Sequence, residues 1–120
     1  MATILVVDDS SSMRKLISFA LQSAGHTIVE ASDGAEGLDK AKSTNVNLVI
    51  TDQNMPKMTG LELVKSLRAL PNYKFTPILV LTTESSQDYK TKGREAGASG
   101  WIIKPFSPDT LNATVKKVLG

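Results

Sequence analysis

Cysteine does not occur in the 120-residue chain, and histidine occurs once. Without thiols there are no disulfides, iron–sulfur clusters or thiol nucleophiles, and one imidazole is too few for a conventional zinc site. Long apolar runs are also missing. The longest, residues 4–7 and 78–81, fall far short of the ~20 residues that span a bilayer. No signal-peptide pattern opens the chain, so the reading is a soluble, cytoplasmic protein with no membrane partner. Neither G-x-x-x-x-G-K-[ST] nor G-x-G-x-x-G occurs, and GASG at 97–100 does not complete G-x-S-x-G. Nucleotide- and flavin-binding modules are thereby disfavoured. Internal repeats, low-complexity tracts and dividing linkers are absent as well.

What remains is a chain of one-domain size, residues 1–120, able to bury roughly two thirds of its unfolded surface without a covalent staple. Its net charge of +2 is too small to imply nucleic acid. The distribution is uneven. Residues 1–60 carry five Lys and Arg against seven Asp and Glu, and residues 61–120 carry nine against five. An acidic partner would meet the second half more readily.

Short β-branched runs alternate with stretches of helical period, which predicts an α/β fold, a doubly wound five-stranded parallel sheet with five helices. The predicted strands are 3–7, 27–31, 47–51, 77–81 and 100–103. Met13, Leu16, Ile17, Ala20, Leu21 and Ala24 recur at helical spacing, with Gly25 as a stop. Asp33 followed by Glu36 resembles a capping box for a shorter helix through about Lys42. Leu61, Val64 and Leu67 mark a third helix. Ser107, Pro108 and Asp109 open the last, whose apolar face is Leu111, Val115, Val118 and Leu119. The fourth, 87–96, has a thin apolar stripe and contains Gly93, which makes it a candidate for movement. LPNYKFTP at 70–77 reads as an ordinary connection.

In such a sheet, ligands bind outside the carboxyl ends of the strands. There the sequence gathers Asp8 and Asp9 after the first strand, Asp52 after the third, Thr82 and Thr83 after the fourth, and Lys104 with Pro105 after the fifth. Three neighbouring carboxylates either hold protons or recruit a cation, and an all-oxygen set suits Mg2+. A carboxylate beside Mg2+ can attack phosphorus and form an aspartyl phosphate. Lys104 and Thr82 would then stabilise charge on the phosphoryl oxygens. Singly, the residues have blander readings: an Asp pair at a helix N-terminus, strand-end threonines, Trp101 packed at an edge, His26 in an exposed turn, and methionines as packing.

VVDDS, TDQNMPKMTG, LTTES and GASGWIIKPF together resemble the receiver domain of two-component response regulators, and the resemblance runs from end to end, closest to the single-domain chemotaxis members. It implies a flavodoxin-like strand order of 2-1-3-4-5. Asp52 would accept a phosphoryl group from a sensor-kinase phosphohistidine. Asp9, Asp52 and the backbone carbonyl of Asn54 would ligate Mg2+, with Asp8 acting mainly through water. Lys104 would pair with the acidic cluster, its bond to Pro105 being cis, and Thr82 would move toward the phosphoryl oxygen. Asn54 and Glu84 would tune acyl-phosphate hydrolysis.

The same resemblance implies an output face on the fourth helix, fifth strand and fifth helix, with Tyr89, Lys90, Lys92, Arg94, Lys116 and Lys117 as contact residues. Partners would be a histidine kinase, a flagellar motor switch protein and a phosphatase, and the protein would act as a monomer. Two positions depart from the chemotaxis pattern. Trp101 stands where tyrosine is usual, replacing a phenolic hydroxyl with an indole N–H, and Ser10 replaces an aromatic and reads as loop chemistry. A phosphate sink and a phosphorelay intermediate stay open as roles. A Mg2+-dependent phosphohydrolase is disfavoured because the aspartates are adjacent, whereas that chemistry uses Asp-x-Asp.

Overall fold

The computed structural model describes residues 2–83 and 86–120. Strands β1 (Thr3–Val7), β2 (Thr27–Ala31), β3 (Leu48–Asp52), β4 (Ile78–Thr82) and β5 (Gly100–Ile103) alternate with helices α1 (Ser11–Ser23), α2 (Gly34–Ser43), α3 (Gly60–Arg68), α4 (Gln87–Ala96) and α5 (Pro108–Leu119). All pairings are parallel and the strand order is β2-β1-β3-β4-β5. The expected fold class and strand order are both observed. No described helix is long and apolar enough to cross a membrane.

Residues of β1, β3 and β4 point alternately into two apolar layers, so these strands need apolar side chains at nearly every position. Ile4, Val6, Leu48, Ile50, Leu79 and Leu81 meet Ile17 and Leu21 of α1 and Leu111 and Val115 of α5. Leu5, Val7, Val49, Ile78 and Val80 meet Ala41 of α2, Leu63, Val64 and Leu67 of α3, and Ala96 of α4. Helix N-termini are set by side-chain caps: Ser10, Asp33, Thr59, Ser86 and Ser107 each accept a backbone N–H three residues on. Ser10 is therefore a helix cap, not merely loop chemistry.

Sequence and structure differ in four places. Strands β3 and β4 begin and end one residue later than expected. The Gln53 N–H still donates to the Leu81 carbonyl (3.0 Å) and the Lys104 N–H to that of Thr82 (2.8 Å), so the ladder continues through Asp52 and Thr82. Glu36 completes no capping box with Asp33, because its carboxylate turns back to the N–H and hydroxyl of Ser32. The full capping box is on α3, between Thr59 and Glu62. His26 is half-buried, and its Nδ1 accepts the Ala2 N–H at 3.2 Å.

The fourth difference is the segment expected to be an ordinary connection. Pro71–Tyr73 forms a 3-10 turn that sends Tyr73 into the core. The Tyr73 hydroxyl lies 2.5 Å from the Ala41 carbonyl and 2.8 Å from that of Thr44, and accepts the Val46 N–H at 3.3 Å. Arg68 closes the same region from α3: its guanidinium donates to the carbonyls of Tyr73, Thr76 and Gly97 at 2.6, 2.6 and 2.9 Å. Burial lowers the Arg68 pKa from its ordinary value.

Helix α4 buries only Gly93 and Ala96. The glycine has a packing reason. A Cβ built on Gly93 would fall 1.9 Å from Cζ2 and 2.0 Å from Cη2 of Trp101, so the indole occupies the space a larger residue would fill. Tyr89, one helical turn earlier, meets the indole with ring centroids 5.2 Å apart and planes inclined by 52°.

Two outcomes follow from this packing. Tyr73→Phe strands buried backbone groups and should lower stability by about 1–3 kcal/mol, read as a fall in the urea midpoint at constant slope; an unchanged midpoint would show the hydroxyl to be dispensable. Gly93→Ala should push the indole outward despite the gain in helix propensity, giving red-shifted, more quenchable Trp101 emission. Unchanged emission would mean that α4 yields instead.

Candidate functional site

The site lies at the carboxyl edge of β1, β3, β4 and β5, where the strand order reverses around β1 and β3. Asp52 is the last residue of β3 and is buried. Asp8 and Asp9 follow β1 directly; Asp8 is buried and Asp9 exposed. One carboxylate oxygen from each of the three lies within 4.8 Å of the other two. The structure thus assembles the acidic cluster expected from sequence.

The Asp8 peptide is held by β2, whose Ala31 carbonyl accepts the Asp8 N–H at 3.1 Å. Its Oδ1 accepts the Ser10 N–H at 2.9 Å, and its Oδ2 is buried with no hydrogen-bond partner among the described residues. Desolvation raises the Asp8 pKa above 3.8; the Ser10 hydrogen bond opposes this, and the nearby Asp52 charge adds to it.

Lys104 follows β5 and reaches back across the edge, its Nζ 2.6 Å from Asp52 Oδ1. This is a short, charge-assisted hydrogen bond. The Lys104–Pro105 peptide is cis, as the resemblance implied. Thr82 closes β4 and is buried; the ladder sets Leu81, its neighbour, opposite Asp52. Thr83 is exposed.

The loop after Asp52 turns at once into α3. Gly60 makes the tight return feasible: a Cβ there would lie 2.5 Å from the Asp52 carbonyl oxygen. The Gly60 N–H donates to the Gln53 carbonyl (3.0 Å), and the Gln53 Oε1 accepts the Leu61 N–H (2.9 Å). Lys57 takes the left-handed backbone conformation with φ 70°, Met55 is buried, and Asn54 is exposed two residues beyond Asp52. Gln53 and Gly60 are positioning residues absent from the sequence reading. The capping-box pattern at Thr59 and Glu62 was the available signal for where this loop must end.

The remaining expected residues lie apart from the carboxylates. Trp101 and Tyr89 are half-buried between β5 and α4, Lys90 is half-buried, and Lys92, Arg94, Lys116 and Lys117 are exposed. Glu84 lies outside the described residues.

A sequence model of the response regulator receiver domain matches residues 4–116. A chemotaxis protein CheY homolog of Campylobacter jejuni is 44% identical over 119 residues, covering 98% of this chain and 92% of that protein. The chemotaxis protein CheY of Pseudomonas aeruginosa is 38% identical over 116 residues, covering 96% and 94%. Among solved structures, Vibrio cholerae chemotaxis protein CheY4 superposes with a TM-score of 0.96 at 50% identity, covering 98% of each chain. Similarity of this extent, through the whole sheet and both helical layers, places the chain in the response regulator receiver family of two-component signalling, among the CheY-type chemotaxis receivers.

Proposed function

We propose that the protein is a single-domain, phosphorylation-activated switch whose phosphoacceptor is Asp52. The observation that carries this reading is the setting of the Asp52 carboxylate, buried at the sheet edge, paired with Lys104 at 2.6 Å and within reach of two further carboxylates. In the step proposed, an Asp52 oxygen attacks phosphorus of a kinase phosphohistidine, the P–N bond breaks, and the imidazole nitrogen leaves with its electron pair and takes up a proton. Lys104 and the Thr82 hydroxyl are the donors to the transferred phosphoryl oxygens.

The donor set fits Mg2+. Asp8, Asp9 and Asp52 supply only oxygen, and the buried Asp8 Oδ2 lacks a hydrogen-bond partner among the described residues. Asp9, Asp52 and the Asn54 backbone carbonyl would hold the ion, with Asp8 acting chiefly through water. A bound Mg2+ supplies positive charge where phosphoryl oxygens gather. The chain's own residues orient the acceptor, and the buried β3 end limits access of water to it.

The output is a population shift, not turnover. Phosphorylation at Asp52 draws Lys104 and Thr82 toward the new charge, and both are joined through the backbone to β5. Trp101 lies on that strand, against α4, and Lys90, Lys92 and Arg94 bias the adjoining surface toward an acidic partner. A flagellar motor switch protein and a phosphatase are the partners of this reading, with a histidine kinase as donor.

Incubation with Mg2+ and acetyl phosphate should add one phosphoryl group to the wild-type chain, seen by intact mass, and none to Asp52→Asn. Equal labelling of both would remove Asp52 from this role. Asp8 provides a separate test without phosphate. Its raised pKa means the folded state binds the proton more tightly than the unfolded state does, so its contribution becomes less favourable as pH rises above 3.8. Without metal, Asp8→Asn should therefore be more stable than wild type at neutral pH, with the advantage fading as pH falls toward 3.8. Added Mg2+ should raise the melting temperature of wild type more than that of the variant. The reverse order in either comparison would contradict the assignment.

A further inference from the structure

Arg14 lies in α1, outside the carboxylate cluster, yet it touches the backbone that carries the cluster. Its Nη1 donates to the Asp8 carbonyl oxygen at 2.7 Å, and its Nε to Glu30 Oε1 at 3.0 Å. The Arg14 side chain is only 17% exposed, whereas that of Glu30 is 40% exposed. The guanidinium is thus a largely shielded bridge between the β1–α1 turn and the edge strand β2.

The carbonyl it grips belongs to the peptide joining Asp8 to Asp9. The preceding peptide is already fixed from the other side, because the Asp8 N–H donates to the Ala31 carbonyl of β2. With both peptides tied to β2, the backbone torsions of Asp8 are held from either end, and with them the directions in which the two carboxylates leave the chain. A second tie reinforces the anchor: Lys40 of α2 donates to the Glu30 backbone carbonyl and pairs with Glu36 at 3.3 Å. The fork of a guanidinium is suited to this task, since it holds two acceptors at a fixed mutual angle.

We infer that Arg14 is a positioning residue for the divalent-cation site: through Glu30 and the Asp8 carbonyl it presets the Asp8–Asp9 pair in the orientation the ion requires. This rests on the metal reading given above. Simple electrostatics makes the opposite prediction. Arg14 is a positive charge close to an anionic site, so removing it would strengthen Mg2+ binding if its field were what mattered. Loss of a group that orients ligands weakens metal affinity, typically by 10–100-fold. The sign of the change therefore separates positioning from charge.

The test is calorimetric Mg2+ titration of the full chain without a phosphodonor, comparing wild type, Arg14→Met, Arg14→Lys and Glu30→Gln, with thermal unfolding of each in EDTA. Arg14→Met keeps most of the packed stem, and Glu30→Gln keeps Arg14 itself, so one remains informative if the other folds poorly. Expected is about a tenfold loss of Mg2+ affinity in Arg14→Met, a smaller loss in Glu30→Gln, and recovery of part of the affinity in Arg14→Lys. Affinity equal to or tighter than wild type in both Arg14→Met and Glu30→Gln would overturn the inference while leaving the metal site intact. A lower melting temperature with unchanged affinity would also overturn it, leaving Arg14 as a fold-stabilising residue only. A wild-type chain that takes up no Mg2+ would overturn the metal reading itself, and this inference with it.

Discussion

Like charges repel more strongly as water is withdrawn from between them, and the carboxyl edge of this sheet withdraws water from two of three neighbouring carboxylates. Much else at that edge answers this one constraint. Lys104 neutralises Asp52 directly, the Ser10 N–H satisfies one oxygen of Asp8, and Asp9 stays in solvent. The other Asp8 oxygen has no hydrogen-bond partner among the described residues, and burial, with the Asp52 charge nearby, raises the Asp8 pKa. A cluster left partly unbalanced in this way suits a cation, which is what the proposed function asks of it.

The two halves of the fold differ in how firmly they are held. Strands β1, β3 and β4 bury every residue but the first of β1, and the carboxylates stand at the ends of β1 and β3. At the other edge, β5 is short and partly open, and α4 buries only Gly93 and Ala96, with Tyr89 against the Trp101 ring. Rigid placement suits the in-line attack on phosphorus proposed for Asp52, a step that tolerates little misalignment. A lightly packed helix beside it suits a response that must change surface shape for little free energy. Lys104 joins the two, since its side chain reads the charge on Asp52 while its backbone N–H bonds the end of β4.

Much of this was legible in the sequence because parallel strands buried on both faces leave an unmistakable run of apolar residues, each ending where chemistry begins. The order Asp-Asp, Asp, Thr, Lys-Pro at the ends of β1, β3, β4 and β5 already named the residues that the fold gathers at one edge. Less legible were interactions that depend on where a long side chain turns. Glu36 was expected to cap its own helix and instead reaches Ser32. Nothing in the pattern singled out Arg14, which joins the Asp8 carbonyl to the Glu30 carboxylate, or Arg68, which gathers the carbonyls of Tyr73, Thr76 and Gly97. Tyr73 sat in a segment rich in turn formers, and nothing local announced that its hydroxyl would serve three backbone groups. The strand ends shifted by one residue because the ladder's last hydrogen bonds are decided by the neighbouring strand, not by side-chain pattern.

Gly93 and Trp101 also constrain the order in which such a sequence can change. An alanine opposite the indole overlaps it, whereas a glycine opposite a smaller ring leaves only a gap. The overlap can be relieved only by moving the indole or the helix, whereas the gap requires neither to move. A change between tyrosine and tryptophan at position 101 that leaves both α4 and the indole where they are therefore needs glycine at 93 before the tryptophan arrives and until it has gone. The two positions are thus tied to an order of change that is the same read forwards or backwards: while the tryptophan is present, any side chain at 93 must displace it or α4.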